Sequence, residues 1–90
     1  MNATAFRESL AADGFDEVLE RTIEPGFSNE MHDHPYDARL FVVAGELVLG
    51  TPNGDTTFRP GEVCDVPRGD RHCERYGAAG VTLLIGRRRS

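Results

Sequence analysis

From Phe15 onward this chain never runs far before a proline or a glycine interrupts it. Between those breaks lie apolar stretches of strand length, too short for ordinary helices. Glu17 to Glu24 reads as one strand, carrying Val18, Leu19 and Ile23. Pro25-Gly26 turns the chain, and Ser28 to His34 reads as the next strand. Arg39 to Val43 and Glu46 to Leu49 flank a turn at Ala44-Gly45. Thr56 to Arg59, Val63 to Val66, Arg71 to Tyr76 and Val81 to Ile85 complete the set. Asn53-Gly54 is the strongest hairpin signal. Pro60-Gly61 and Pro67-Arg68-Gly69 each join a residue of fixed φ to one that tolerates positive φ, so the chain reverses on both sides of Val63 to Val66. Many short strands at close spacing predict an all-β domain, a small barrel or sandwich.

Only the N-terminus departs from this pattern. Thr4 to Asp13 predicts a short helix, with Thr4 as its cap, Phe6 and Leu10 on one face, and Gly14 as its stop. Phe15 then packs back on Leu10, and the helix is expected to cover an open end or edge of the sheet. Met31, Phe41, Val43, Leu47 and Leu49 are expected to form the core and the wall of a cavity.

A chain of 90 residues makes a single domain, with the helix over about 4–13, the barrel over about 16–86 and a basic tail at 87–90. Hydrophobic residues at 39% and charged residues at 28% describe a soluble, folded chain. No apolar run approaches the roughly 20 residues needed to span a bilayer. Residues 1–7 lack the pattern of a secretory leader, so a cytoplasmic location is expected. A net charge of −5 argues against nucleic acid as a partner. Arg87-Arg88-Arg89 reads as a solvated end rather than a membrane anchor. The chain has no lysine, which excludes Schiff-base chemistry. Cys64 and Cys73 form no Cys-x-x-Cys unit and are expected to be reduced and structural.

The three histidines carry the chemistry. His32 and His34 lie two apart, so on an extended segment both imidazoles point to one side. A strand arriving later can bring His72 to the same point. Such a triad suits a divalent transition metal, imidazole being a good ligand for Zn, Cu, Fe and Ni.

The spacing of these residues resembles the two motifs of the cupin superfamily. Gly26, His32, His34 and Gly45 stand in the register of the first motif, and Gly61, Pro67, Gly69 and His72 in that of the second. The first motif's glutamate is replaced by Ala38, with Asp37 one residue earlier, and the second motif's asparagine by Tyr76. The resemblance runs from Gly26 to Tyr76 and implies a jelly-roll β-barrel with one metal per protomer (Fe, Zn, Ni, Mn or Cu). It implies His32, His34 and His72 as ligands, with Asp37 a candidate fourth. Strand alternation favours Ala38 facing the metal and Asp37 turned away. By the same alternation Glu30 shares the face of His32 and His34. Glu74 and Tyr76 share that of His72, so all three are expected in the cavity or behind the ligands.

Relatives implied by the resemblance include three-His oxygenases, sugar epimerases and non-enzymatic binders. An epimerase needs an acid–base pair, and no histidine is left over to supply it. Three neutral imidazoles leave the charge of the metal uncompensated, which favours an anionic substrate. The expectation is a metal-binding single-domain cupin and, if an enzyme, a metal-dependent dioxygenase acting on a small anionic molecule. The alternative is a non-catalytic small-molecule-binding or sensory cupin. A homodimer is expected, because so small a sheet leaves edges and apolar surface uncovered.

Overall fold

The computed structural model describes residues 1–89. Helix α1 spans Ala3–Ala12, and its cap is Asn2 rather than Thr4. The Asn2 side-chain oxygen accepts the Ala5 amide at 2.8 Å, the geometry that makes asparagine a better cap than threonine. Gly14, at φ 78, takes the chain out of the helix, and the Phe15 amide donates back to the Leu10 carbonyl at 2.9 Å.

Five strands follow: β1 (Glu17–Ile23), β2 (Asp37–Thr51), β3 (Gly54–Phe58), β4 (Val63–Val66) and β5 (Cys73–Arg88). All pairings are antiparallel, in the order β1-β5-β2-β3, with β4 added to the first half of β2. The sheet curls into a small jelly-roll barrel, all-β apart from the one helix. The hairpin signal holds, although Gly54 already pairs with Thr51 and the turn falls on Pro52-Asn53.

Where four short strands were expected, two long bent ones run through. Ala44-Gly45 and Gly77 to Gly80 are bends inside β2 and β5, not turns between strands. The register shifts between Val42 and Ala44 and again between Gly45 and Leu47, as in a bulge. Gly45 has φ 80, and a Cβ there would overlap the Gly80 carbonyl oxygen. β2 passes β5 at this corner only because Gly45 has no side chain.

The sheet buries both faces. Leu40, Val42, Leu47, Leu49, Val66 and Leu83 fill the barrel interior. On the outer face Phe6, Leu10 and Phe15 of the N-terminal segment cover Phe41 and Leu84. Phe6 stacks on Phe41 with ring centroids 5.2 Å apart, and Gly86 leaves room for Leu10 to lie on the strand. The helix therefore covers a face of the sheet rather than an open end. Phe41 belongs to this outer layer, not to the cavity wall, while Met31 and Val43 are exposed at 38% and 43%.

The end of β5 corrects the expected basic tail. Arg87 and Arg88 are strand residues paired opposite Ala38 and Asp37. Arg87 reaches Glu17 at 3.3 Å and Arg88 reaches Asp37 at 2.9 Å. Residue 90 of that tail lies outside the described residues. No helix among the described residues is long and apolar enough to cross a membrane.

Candidate metal centre and cavity

His32 and His34 do not lie on a regular strand. The segment between β1 and β2 is irregular, with isolated bridges where Ser28 pairs with Arg75 and His32 with His72. The second of these bridges builds the site. His32 and His72 exchange both backbone hydrogen bonds at 2.8 Å, which locks the two residues side by side. His34 is held by the second motif, its carbonyl accepting the Gly69 amide at 3.0 Å. The three imidazole centroids end 4.5 to 5.1 Å apart.

Glu74 completes the group. It lies on β5 two residues after His72, which immediately precedes the strand, and both side chains line the cavity. His32, His34, His72 and Glu74 each offer one ligand atom, and these four atoms lie within 4.8 Å of one another. Asn29 clamps Glu74 from the irregular segment, donating to its carboxylate and accepting its amide at 2.8 Å.

The hydrogen bonds define which ring nitrogens are free. His32 Nδ1 lies 2.7 Å from the Glu30 carbonyl oxygen, and His72 Nδ1 lies 2.9 Å from that of Asp70. A carbonyl only accepts, so both Nδ1 atoms carry a proton, and the neutral form of each ring presents Nε2 as its ligating atom. Nε2 of His72 then faces the Glu74 carboxylate at 3.3 Å. With both groups deprotonated two lone pairs face each other, and a proton or a metal cation between them relieves the repulsion. A divalent metal there would take both as ligands, with the backbone carbonyls orienting the rings from behind. Bonds of about 2.0–2.1 Å need ligand atoms within about 4.2 Å of each other, a small rotamer shift from the spacing present. The donor set fits a divalent transition metal. His34, the third imidazole, has its pKa lowered by burial first and by His32 and His72 second, which keeps it in the neutral form that ligates.

The cluster opens into a cavity of about 450 Å³. Its walls are largely apolar, with Ala38, Leu40, Val66, Leu83 and Ile85 at the base and Phe27 toward solvent. Tyr36 stacks on His34 at 4.8 Å, and Phe27 lies 5.8 Å from Tyr76. Burial pushes the Tyr76 hydroxyl up to about 12, with Glu74 adding to the effect and Arg21 opposing it.

Of the expected site residues, Ala38 and Tyr76 line the cavity. Glu74 stands among the imidazoles themselves rather than behind them. Glu30 contributes its backbone carbonyl to His32, while its side chain is exposed. Asp37 is engaged elsewhere. It accepts the Arg68 amide at 2.8 Å and the Arg88 guanidinium at 2.9 Å, and these two bonds, in that order, hold its carboxyl below the usual range. Sequence reasoning missed Asn29, Arg21 and Arg87. Arg21 carried a signal, since it is in phase with Ile23 on β1; Asn29 carried none.

Comparison with known proteins agrees with this architecture. The profile of the cupin domain family matches residues 19–80. No match was found among curated proteins. A protein of unknown function from Rhizobium leguminosarum bv. viciae 3841 superposes with a TM-score of 0.75 at 22% identity, covering 81% of this chain and 69% of its own. A chain from the DMSP lyase structures of RdDddP and RnDddQII gives 0.71 at 22% identity, over 79% of this chain and 37% of that one. A cupin-2 domain containing protein from Shewanella frigidimarina NCIMB 400 gives 0.67 at 17% identity, over 98% and 94%. At such identities the similarity is one of fold. With more than half its length matched by that profile, the chain belongs to the cupin domain family.

Proposed function

We propose that this protein binds one divalent transition metal through His32, His34, His72 and Glu74 and presents it to a small molecule in the cavity. The observation that carries this reading is the convergence of four ligand atoms, one each from His32, His34, His72 and Glu74, within 4.8 Å of one another, with Nδ1 of His32 and of His72 turned to backbone carbonyls. Metal analysis of the purified protein tests it, with about one equivalent expected per protomer. Full occupancy in a His34→Ala, His72→Ala double variant would overturn it.

Four protein ligands leave positions open on a five- or six-coordinate ion, as a catalytic site requires. A metal held there supplies Lewis-acid or dioxygen chemistry, and the leading reaction class is a dioxygenase acting on a small anionic molecule. The cavity itself favours metal-centred chemistry over acid–base isomerisation. Tyr76 keeps its proton far above neutral pH, and Glu74 is engaged by Asn29 and faces His72. Neither is a free base. The same engagement favours, as a second reading, a cupin that binds its ligand without turnover. Oxygen uptake by the metal-loaded protein over a panel of small acids separates the two.

The reading includes a homodimer. Strands β1 and β3 end the sheet order, and each has an unpaired edge in the single chain. Light scattering that returns a mass near 9.9 kDa at high concentration would exclude it.

A further inference from the structure

The cavity is unevenly supplied with hydrogen-bonding groups. Its innermost acceptor, Glu74, is engaged by Asn29 and turned to His72. Two of its donors, Arg21 and Tyr76, have no protein acceptor among the described residues. Arg21 lies on β1, in phase with Ile23 and paired opposite Leu83, and its exposed side chain borders the cavity. Among the described residues it forms no ion pair, although arginines 39, 59, 75, 87, 88 and 89 all do. Glu24, the other acid on the lining, is exposed and forms none with it. The Tyr76 hydroxyl lines the same cavity without a hydrogen-bond partner among the described residues. Farther along the wall, Arg87 Nε is buried with no acceptor, even though Nη1 of the same side chain reaches Glu17 at 3.3 Å.

Arg21 is exposed and keeps its water, so the cost of an unpaired donor falls on the buried Arg87 Nε and the partly buried Tyr76 hydroxyl, and a ligand that enters must supply acceptors to the donors it strips of water. The missing partner is therefore acceptor-rich and anionic. Its charge is also bounded. One guanidinium with a neutral phenol balances a single negative charge, and a dianion would sit uncompensated near Glu24 and Glu74. A planar carboxylate meets both conditions, and the apolar walls suit an apolar body behind it.

We propose that the wall formed by Arg21 and Tyr76 is a carboxylate subsite that holds the acid group of a small, apolar-bodied ligand. This rests on the cavity being the ligand site, as proposed above, but not on the metal. Arg21 takes the carboxylate through its guanidinium, Tyr76 donates its hydroxyl to the same group, and the ligand body extends over the apolar walls toward the histidines.

Calorimetric titration with 3-phenylpropionate and its neutral isostere 3-phenylpropionamide tests the subsite, in zinc-loaded and in metal-free protein. The acid should bind more tightly than the amide in both forms. Arg21→Gln should remove that preference, weakening the acid by about tenfold or more while leaving the amide unchanged. Arg21→Lys, which keeps the charge, should retain part of it, and a circular-dichroism melt confirms that both variants fold. Equal binding of acid and amide, binding of neither, or a preference that survives in Arg21→Gln overturns the proposal. A preference seen only with zinc and indifferent to Arg21 places the carboxylate on the metal and overturns it as well. Zinc stoichiometry in the same samples tests the metal reading separately. A wild-type protein that takes no zinc yet shows the Arg21-dependent preference removes that reading and supports this one.

Discussion

Nε2 of His72 and the carboxylate of Glu74 face each other at 3.3 Å, two residues apart along the chain. The pair makes sense as two ligands of one ion. Glu74→Gln keeps the shape and an acceptor for Asn29 while removing the charge. Metal affinity should fall by more than about a hundredfold, beyond the range of residues that only orient a ligand. Zinc titration against a chelator of known affinity measures it, and a loss under tenfold would remove Glu74 from the ligand set.

Asp37 makes the opposite prediction. Its carboxylate ties the Arg68 amide and the Arg88 guanidinium together, joining the second motif to the end of β5. Asp37→Asn should leave metal content unchanged and lower the melting temperature at neutral pH. The folded carboxyl titrates below its ordinary 3.8, so the unfolded chain binds more protons as the pH falls through that region. The stabilisation is fully present above 3.8 and is lost on descending through the folded pKa. The gap in melting temperature between wild type and Asp37→Asn should therefore close in acid. A gap that is constant with pH would mean the contribution is not electrostatic.

Local pattern made much of this legible in the sequence. β1, β4, the hairpin after β2 and the Gly14 stop follow from alternation and turn chemistry, and the three histidines follow from motif spacing. What alternation cannot tell is whether a glycine ends a strand or bends it. Ala44-Gly45 and Gly77 to Gly80 use turn residues for bends in β2 and β5, because the two strands need to pass closely at one corner. For the same reason the segment carrying His32 and His34 looked like a strand. Its extended residues are held by isolated bridges to Arg75 of β5 and to His72 just before it, rather than by a ladder. Glu74 was placed in the cavity by its phase with His72. Its rank as a candidate ligand needed the His32–His72 bridge and Asn29, neither of which is a short-range signal.

The two cysteines should differ sharply in reactivity. Burial pushes the Cys64 thiol up to about 12, with Asp65 and Glu74 adding to the shift, and the residue is only 2% exposed. Cys73 is partly exposed. Thiolate is the reactive form, so a disulfide reagent at mildly alkaline pH should label Cys73 in the folded protein and Cys64 only after unfolding. Cys73→Ser should abolish the fast phase, and a fast phase that persists would show Cys64 to be accessible.

Two motif glycines of nearly equal φ provide a test of the corner between β2 and β5. Gly26 has φ 78 with nothing within 4 Å of the place a Cβ would occupy, whereas Gly45 has φ 80 with the Gly80 carbonyl in that place. Gly26→Ala bears only the strain of a left-handed backbone, about 1 kcal/mol. Gly45→Ala bears the same strain plus an overlap with backbone. Gly80 cannot retreat, because a Cβ there would itself strike the Ile23 carbonyl of β1. Three strands are therefore packed against one another through two hydrogen atoms. The cost should be about 3 kcal/mol or more, a large part of the 5–15 kcal/mol of a typical domain. For a domain of this size that means a melting temperature lower by about 12 °C or more, against a few degrees for Gly26→Ala. Equal losses in the two variants would show that backbone strain alone, and not the crossing of β2 over β5, makes Gly45 necessary.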